Sequence, residues 1–159
     1  MLNPKIYSVL LHSSDSTSSN GFYRWILPNM FGDVDNNKNY YCIISNVQMQ
    51  GIANPGAEYR SLLIQTNSFN ITNSYYSRNN GRSNVLKVCQ ILHDVNAHFV
   101  SLSERLDIST ADACVISGSS LFNCNSINLQ FLNLNDEIIS FESEAYTKFL
   151  ITINFIEVQ

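Results

Sequence analysis

The residues of this chain that could do chemistry are few and lie far apart. The candidate metal ligands and thiol nucleophiles are His12, His93, His98, Cys42, Cys89, Cys114 and Cys124. His93 and His98 lie on either side of Asp94, and two imidazoles with a carboxylate can bind zinc. No second cluster with ligand spacing accompanies them in the sequence. We therefore interpret these histidines as solvated loop residues and predict no metal.

The cysteines have the pattern of core residues. No two of them form a CxxC pair, and Cys42 and Cys89 lie within apolar runs. A free cysteine in such a run behaves as a small buried hydrophobe. We predict reduced thiols in a protein made in the cytosol, rather than a disulfide framework.

No catalytic constellation emerges from the remaining polar residues. Ser117-Gly118-Ser119 lacks the GxSxG pattern of a nucleophile elbow, and we interpret it as a flexible turn. Carboxylate pairs of the kind that glycosidases use fall only in predicted loops, where turn formation is their ordinary role. These pairs are Asp33 with Asp35, Asp136 with Glu137, and Glu142 with Glu144. We predict that the chain is not an enzyme and needs no cofactor.

The composition excludes some partners and favours others. The net charge is -4 and no run of Lys or Arg occurs, which argues against a nucleic-acid groove. No apolar stretch approaches the roughly 20 residues of a membrane span, and the N-terminus has no apolar signal core. Charged residues are only 14%, which suits a protein in contact with others. AT-rich coding is the alternative interpretation; it explains the abundant Asn better than the low charge, because it would also favour Lys.

Strand patterns separated by turn signals run along the whole chain. Predicted strands are 6–11, 22–27, 40–49, 59–66, 85–92, 99–102 and 114–116, followed by two in the last third. There, Ile127, Leu129 and Phe131 alternate with polar residues, and so do Phe149, Ile151, Ile153 and Phe155. We expect these last two strands to form a hairpin whose apolar face is buried. Only 102–112 has any helical character.

About eight strands without helical crossovers predict an all-β fold. We expect one domain over residues 1–159, an antiparallel two-sheet β-sandwich with the topology of a single jelly roll. An immunoglobulin-like sandwich is the alternative, but it usually needs fewer residues and the Cys–Trp–Cys order of antibody domains is missing.

Residues 67–84 form a long predicted loop, and loops of this length are usually functional or flexible. The loop carries Tyr75, Tyr76, Arg78 and Arg82, which are residue types that dominate interface hot spots. We predict that these four residues, together with Trp25 in the aromatic second strand, contact another protein. A disordered loop tip remains the alternative for the loop, and core packing for the strand.

Both ends of the chain resemble one protein family. The ending SINLQFLNLNDEIISFES, followed by TKFLITINFIEV, and the start KIYSVLLHSSD, followed by FYRWILP, are similar to single jelly-roll capsid proteins of large eukaryotic DNA viruses. In that family an alternating strand, a turn with Asn or Asp, a short apolar segment such as Ile138-Ile139 and a closing strand end the chain. The resemblance lies in these patterns and not in a residue signature.

This resemblance implies a structural role. The chain would be a minor capsid protein of the virion, made in the host cytoplasm. Its partners would be the major capsid protein and other capsid proteins, and a homo-oligomer is also compatible with this role. A penton-type vertex protein of the same fold is the first rival. A carbohydrate- or receptor-binding jelly roll is the second, and an enzyme on a β-sandwich is the third.

Overall fold

A computed structural model describes residues 3–53, 60–72, 77–78, 81–82, 84–94, 97–106, 114–142 and 148–159. Short hydrogen-bonded segments follow one another along the chain, almost all of them extended. They are β1 (Ile6–His12), a 3-10 turn (Ser13–Asp15), β2 (Thr17–Ser19), β3 (Phe22–Ile26), β4 (Asn39–Ile52), β5 (Ser61–Thr66), β6 (Ile71–Thr72), β7 (Ser77–Arg78), β8 (Gly81–Arg82), β9 (Val85–Gln90), β10 (Leu92–Asp94), β11 (Ala97–Ser103), β12 (Cys114–Ser117), α1 (Gly118–Phe122), β13 (Ser126–Leu132) and β14 (Phe149–Glu157).

These strands form two antiparallel sheets that pack face to face. The first sheet has the order β1-β14-β4-β11-β10, with β12 also paired to β4 and β6 paired to β12. The second sheet has the order β2-β3-β13-β5-β9, while β7 and β8 pair separately with each other. The predicted all-β, two-sheet antiparallel sandwich is confirmed.

The pairings between main strands are nested. β1 pairs with β14, β3 with β13, β4 with β11, and β5 with β9. Each pair therefore lies, in chain order, inside the one before it. Two further pairings, β14 with β4 and β13 with β5, join these nested pairs into the two sheets. The chain therefore passes repeatedly from one sheet to the other, and both sheets contribute to one core.

The core lies between the two inner faces. The predicted inward side chains are all buried there: Leu129, Phe131, Ile151, Ile153 and Phe155. Aromatic rings fill the space between the sheets, since Phe149 of the first sheet packs edge-on against Phe131 and Tyr23 of the second, each at 4.9 Å between ring centroids. Period-two alternation placed these residues correctly, because successive side chains of a strand point to opposite faces.

The predicted hairpin between the last two strands is wrong. β13 lies in the second sheet and β14 in the first, and they do not pair. The turn after β13 instead folds back on its own strand, with Asn133 Oδ1 accepting hydrogen bonds from the backbone N–H groups of Asn135 (2.9 Å) and Glu137 (3.0 Å). The chain then crosses to the first sheet, where the N–H of Glu142 donates to the carbonyl of Gly51 at 2.7 Å.

Other local predictions also need correction. The turn predicted at Ser117-Gly118-Ser119 begins α1, and the Ser117 Oγ caps it by accepting from the N–H of Ser120 at 3.3 Å. Leu102 belongs to β11, and residues 104–106 have no regular structure, so the helical character expected from residue 102 does not begin there. The predicted irregular loop at 67–84 contains the short strands β6, β7 and β8.

Candidate interaction surface

Trp25, a predicted interface residue, lies in the core. Its side chain is 3% exposed, and its ring packs edge-on against Phe149 at 5.8 Å between centroids. The indole Nε1 donates a hydrogen bond to the carbonyl of His12 at 2.9 Å. Trp25 therefore joins β3 to the end of β1 across the two sheets, and it presents no free surface.

The other predicted interface residues belong to the segment after β6. Arg78 and Arg82 lie on β7 and β8, where Ser77 is opposite Arg82 and Arg78 is opposite Gly81. Tyr75 and Tyr76 lie outside the described residues. A contact by this segment stays a prediction, and a deletion of residues 73–80 that leaves stability unchanged but impairs assembly would support it.

The histidines predicted to be loop residues are placed on strands. His93 on β10 and His98 on β11 are directly opposite each other, with ring centroids 4.5 Å apart in an edge-to-face arrangement. Within the part of the chain that the structure describes, no group of three or more His, Cys, Asp or Glu side chains could hold a metal ion.

All four cysteines are free and buried. Burial of Cys42 and Cys89, predicted from the apolar runs around them, is confirmed. Burial raises the pKa of the Cys89 thiol to about 12. Burial, with a smaller effect of the neighbouring Cys114, raises the pKa of Cys42 well above its ordinary value. Both thiols therefore stay protonated and unreactive in the folded protein at neutral pH.

These raised pKa values predict that the fold weakens in alkali. An unfolded chain loses its thiol protons near the ordinary value of 9.0, whereas the folded chain keeps that of Cys89 until about pH 12. The free energy of unfolding is therefore unaffected by thiol ionisation below about pH 9, and it falls as the pH rises from 9 towards 12. Urea unfolding at neutral pH and at several values above 9 measures this decline. Cys89→Ala should make it shallower, and equal declines in both proteins would contradict the assignment.

One buried cation was not foreseen from the sequence. Lys87 of β9 is buried, and its Nζ lies 2.7 Å from the Glu104 Oε2. A buried charge needs such a partner, because desolvation of an ammonium group costs several kcal/mol. The pair joins the edge of the second sheet to the segment after β11, so it is structural.

The outer face of the first sheet carries a row of apolar side chains. Neighbouring strands place Ile6 of β1 opposite Ile156 of β14, Ile156 opposite Tyr41 of β4, and Tyr41 opposite Val115 of β12. Ile43 and Ile156 are only 6% and 2% exposed, and with Tyr41 they form a small apolar cluster separate from the main core. We call Ile6, Tyr41, Val115 and Ile156 the apolar row.

The row becomes solvent-exposed at its β1 end. Ile6 is 52% exposed, and Leu10, further along the same face of β1, is 64% exposed. Between them, the Ser8 Oγ donates to the Asn154 Oδ1 at 2.7 Å, and the Asn154 Nδ2 donates to the Ser45 Oγ at 2.8 Å. At its β1 end this face therefore consists of exposed apolar residues and mutually paired neutral groups, which another protein can cover at a small desolvation cost.

A groove of about 520 Å³ opens at the other end of the first sheet. Its lining is formed by β4, β11, β14 and the residue before β14, and includes Gln48, Gln50, Phe99, Ser101, Lys148 and Leu150. Gln48 lies between Ser101 and Leu150 in register, so the three share the outer face. Amides, a hydroxyl and a phenyl ring in one groove can bind a neutral polar ligand.

Comparisons with protein-family models, curated proteins and solved structures find no match to this chain. Among the described residues, no helix has the length and apolarity to cross a membrane.

Proposed function

We propose that this chain is a structural capsid protein, a minor component of a virion shell that stabilises it through contacts with major capsid proteins. The observation that carries the proposal is the outer face of the first sheet. There the apolar row runs over four strands and ends in the exposed Ile6, with the exposed Leu10 further along the same face of β1. Ile156 in this row is already covered within the chain, so the part available to a partner is the β1 end, where Ile6 and Leu10 are exposed. Single exposed apolar residues are normal on a surface, but neighbouring ones that continue an apolar row support an interface there.

The nested pairing of strands supports a jelly-roll fold for this role. The first main strand pairs with the last, the second with the second last, and the middle two with each other. This nested pattern results when one long hairpin of eight strands folds over into two sheets. The resemblance of both chain ends to single jelly-roll capsid proteins agrees with this arrangement. Fold alone does not imply function, so the proposal depends on the apolar row.

Purified particles provide the test of this proposal. An antibody against the chain is applied to density-gradient fractions of its native source, and its signal is compared with that of the main coat protein. We expect the chain to sediment with intact particles at a fixed ratio to the coat protein after high-salt washing. Recovery of all the chain in the soluble fractions would contradict the capsid role. A penton-type protein would be present at a ratio set by the vertices alone.

A second candidate, a carbohydrate- or receptor-binding module, is favoured by the groove. Phe99 can stack on a sugar ring, and the Gln48 amide and the Ser101 hydroxyl can exchange hydrogen bonds with its hydroxyl groups. A glycan array probed with the wild-type chain and with Phe99→Ala distinguishes the two functions. Binding that is lost in the variant would establish the module, and the capsid proposal requires no glycan signal that depends on Phe99.

A further inference from the structure

Among the residues that the structure describes, β14 is the strand that pairs with β1, and the opposite edge of β1 presents a defined set of outward backbone groups. The N–H of Glu157 donates to the carbonyl of Lys5 at 3.0 Å, and these residues flank the Ile6–Ile156 pair. Ile6–Ile156 is therefore a non-hydrogen-bonded pair, and the two kinds of pair alternate along an antiparallel ladder. Residues 7, 9 and 11 thus direct their N–H and C=O groups at β14, whereas Ile6, Ser8 and Leu10 direct theirs outwards.

We propose that this edge pairs with the same edge of a second copy of the chain, as an antiparallel β1–β1 contact with a two-fold axis at Ser8. In that register, Ser8 lies opposite the partner's Ser8, and Ile6 lies opposite the partner's Leu10. All six outward groups of each strand then form hydrogen bonds in the pattern of an ordinary ladder. Because the contact is self-complementary, it closes at a dimer.

Neighbouring registers lack this fit. A two-fold axis at Tyr7 would place Pro4 opposite the partner's Leu10, and an axis at Ile6 would place it opposite the partner's Ser8; Pro has no N–H to donate. An axis at Val9 would place His12 opposite the partner's Ile6, and an axis at Leu10 would place it opposite the partner's Ser8, but the carbonyl of His12 already accepts the hydrogen bond from Trp25. Only the axis at Ser8 uses every outward group and also covers the exposed Ile6 and Leu10 with apolar side chains.

Charge also favours this edge as the place where two copies meet. Each chain carries a net charge of -4, so two copies repel each other overall. β1 contains no Asp, Glu, Lys or Arg between Ile6 and His12, whereas natural edge strands are commonly protected from pairing by charges or Pro. Two β1 strands can therefore approach without placing like charges in contact.

The size of the contact predicts a reversible dimer. Seven residues from each copy bury less area than the roughly 1,200–2,000 Å² of stable complexes, so the dimer should form only as concentration rises. The contact would extend the first sheet into a continuous sheet through both copies and place Ile6, the end of each apolar row, beside the partner's Leu10. This inference concerns the isolated chain and does not depend on the capsid role.

Cysteine cross-linking of the full chain tests the register. In the proposed dimer the two Ser8 Cα atoms are about 5.5 Å apart, within the range of a disulfide, whereas the two Leu10 Cα atoms are separated by at least about 13 Å along the strands. Under mild oxidation, Ser8→Cys should form a covalent dimer at least about tenfold faster than Leu10→Cys. A mixture of Ile6→Cys and Leu10→Cys should form the mixed dimer. The four native thiols are buried and do not compete.

Sedimentation equilibrium tests the pairing itself. Ser8→Pro removes a donor that points away from β14, so the monomer keeps its ladder while the dimer loses its central hydrogen bonds. Ser8→Ala serves as the matched control, because it loses only the side-chain hydrogen bond to Asn154 and keeps the backbone N–H. We expect a concentration-dependent dimer for the wild type and for Ser8→Ala, and a monomer for Ser8→Pro with a melting temperature close to that of Ser8→Ala. Should Ser8→Pro unfold, Leu10→Lys takes its place, with Val88→Lys as a matched control on another exposed edge residue. A wild type that stays monomeric, or equal cross-linking of Ser8→Cys and Leu10→Cys, would overturn the inference.

Discussion

Replacing Phe155 with alanine is expected to lower the free energy of unfolding by about 3–5 kcal/mol. The Phe155 ring is fully buried between the sheets, where it packs edge-on against Phe31 at 5.2 Å and Phe69 at 5.6 Å between centroids. Alanine removes the buried apolar area and leaves a cavity that three separate segments of the chain would have to fill. Chemical denaturation measures the loss.

Phe122 provides the matched control for this prediction. It is also a phenylalanine, but it lies at the end of α1 and is 40% exposed. Phe122→Ala should change the free energy of unfolding by a smaller amount than Phe155→Ala, since two fifths of its surface is already in water, whereas Phe155 is fully buried. Equal losses for the two variants would show that β14 does not have the register described above.

Replacing Gly118 with alanine is expected to destabilise the fold by about 1–3 kcal/mol or more. A Cβ at this position would lie 2.0 Å from the carbonyl oxygen of Asp35 and 2.7 Å from that of Lys38. Both are backbone atoms, and the N–H of Gly118 donates to the same Lys38 carbonyl at 2.7 Å. The clash can therefore be relieved only by moving the 35–38 loop away from the start of α1.

The sign of this effect makes the test decisive. In a helix, exchange of Gly for Ala ordinarily stabilises by up to about 1 kcal/mol. The neighbouring Ser119→Ala, at an exposed position of the same helix, should change stability by no more than about 0.5 kcal/mol. Thermal or urea unfolding of both variants compares them directly. A Gly118→Ala protein as stable as the wild type would mean that α1 does not pack on the 35–38 loop.

Local pattern predicted the faces of the strands but not their partners. Alternation at Ile127, Leu129 and Phe131 is a property of single residues relative to their neighbours, so it can be read from the sequence. Which strand pairs with β13 depends on where the chain goes after Asn133. The fold-back on Asn133 Oδ1 uses a side-chain hydrogen bond that turn composition alone does not specify. The expected hairpin failed for this reason.

Polar residues at buried positions were missed for a related reason. Asn154 was read correctly as facing away from the core, yet it is 3% exposed because Ser8 and Ser45 pair with it from adjacent strands. Lys87 is buried beside Glu104, seventeen residues away along the chain. In both cases the partner that makes burial tolerable comes from another strand or segment, and a single sequence does not indicate it.

A signal for the apolar row was nevertheless present in the sequence. In Tyr40–Ile44 the run YYCII has no alternation, so both faces of β4 carry apolar side chains. A strand buried on one side only does not need this pattern, and apolar residues on both faces indicate that the outer face is also covered. The same applies to Ile156 next to Phe155 in β14.

The central claim is that the outer face of the first sheet, at its β1 end, makes the contacts that place this chain in a shell. Ile6→Lys and Val88→Lys test it most directly, because each adds one charge at an exposed apolar residue of an edge strand, Ile6 in the first sheet and Val88 in the second. The amount of each folded variant that sediments with assembled particles is measured against the wild type. The account predicts that Ile6→Lys is lost from the particles while Val88→Lys is retained. Full incorporation of Ile6→Lys would contradict it.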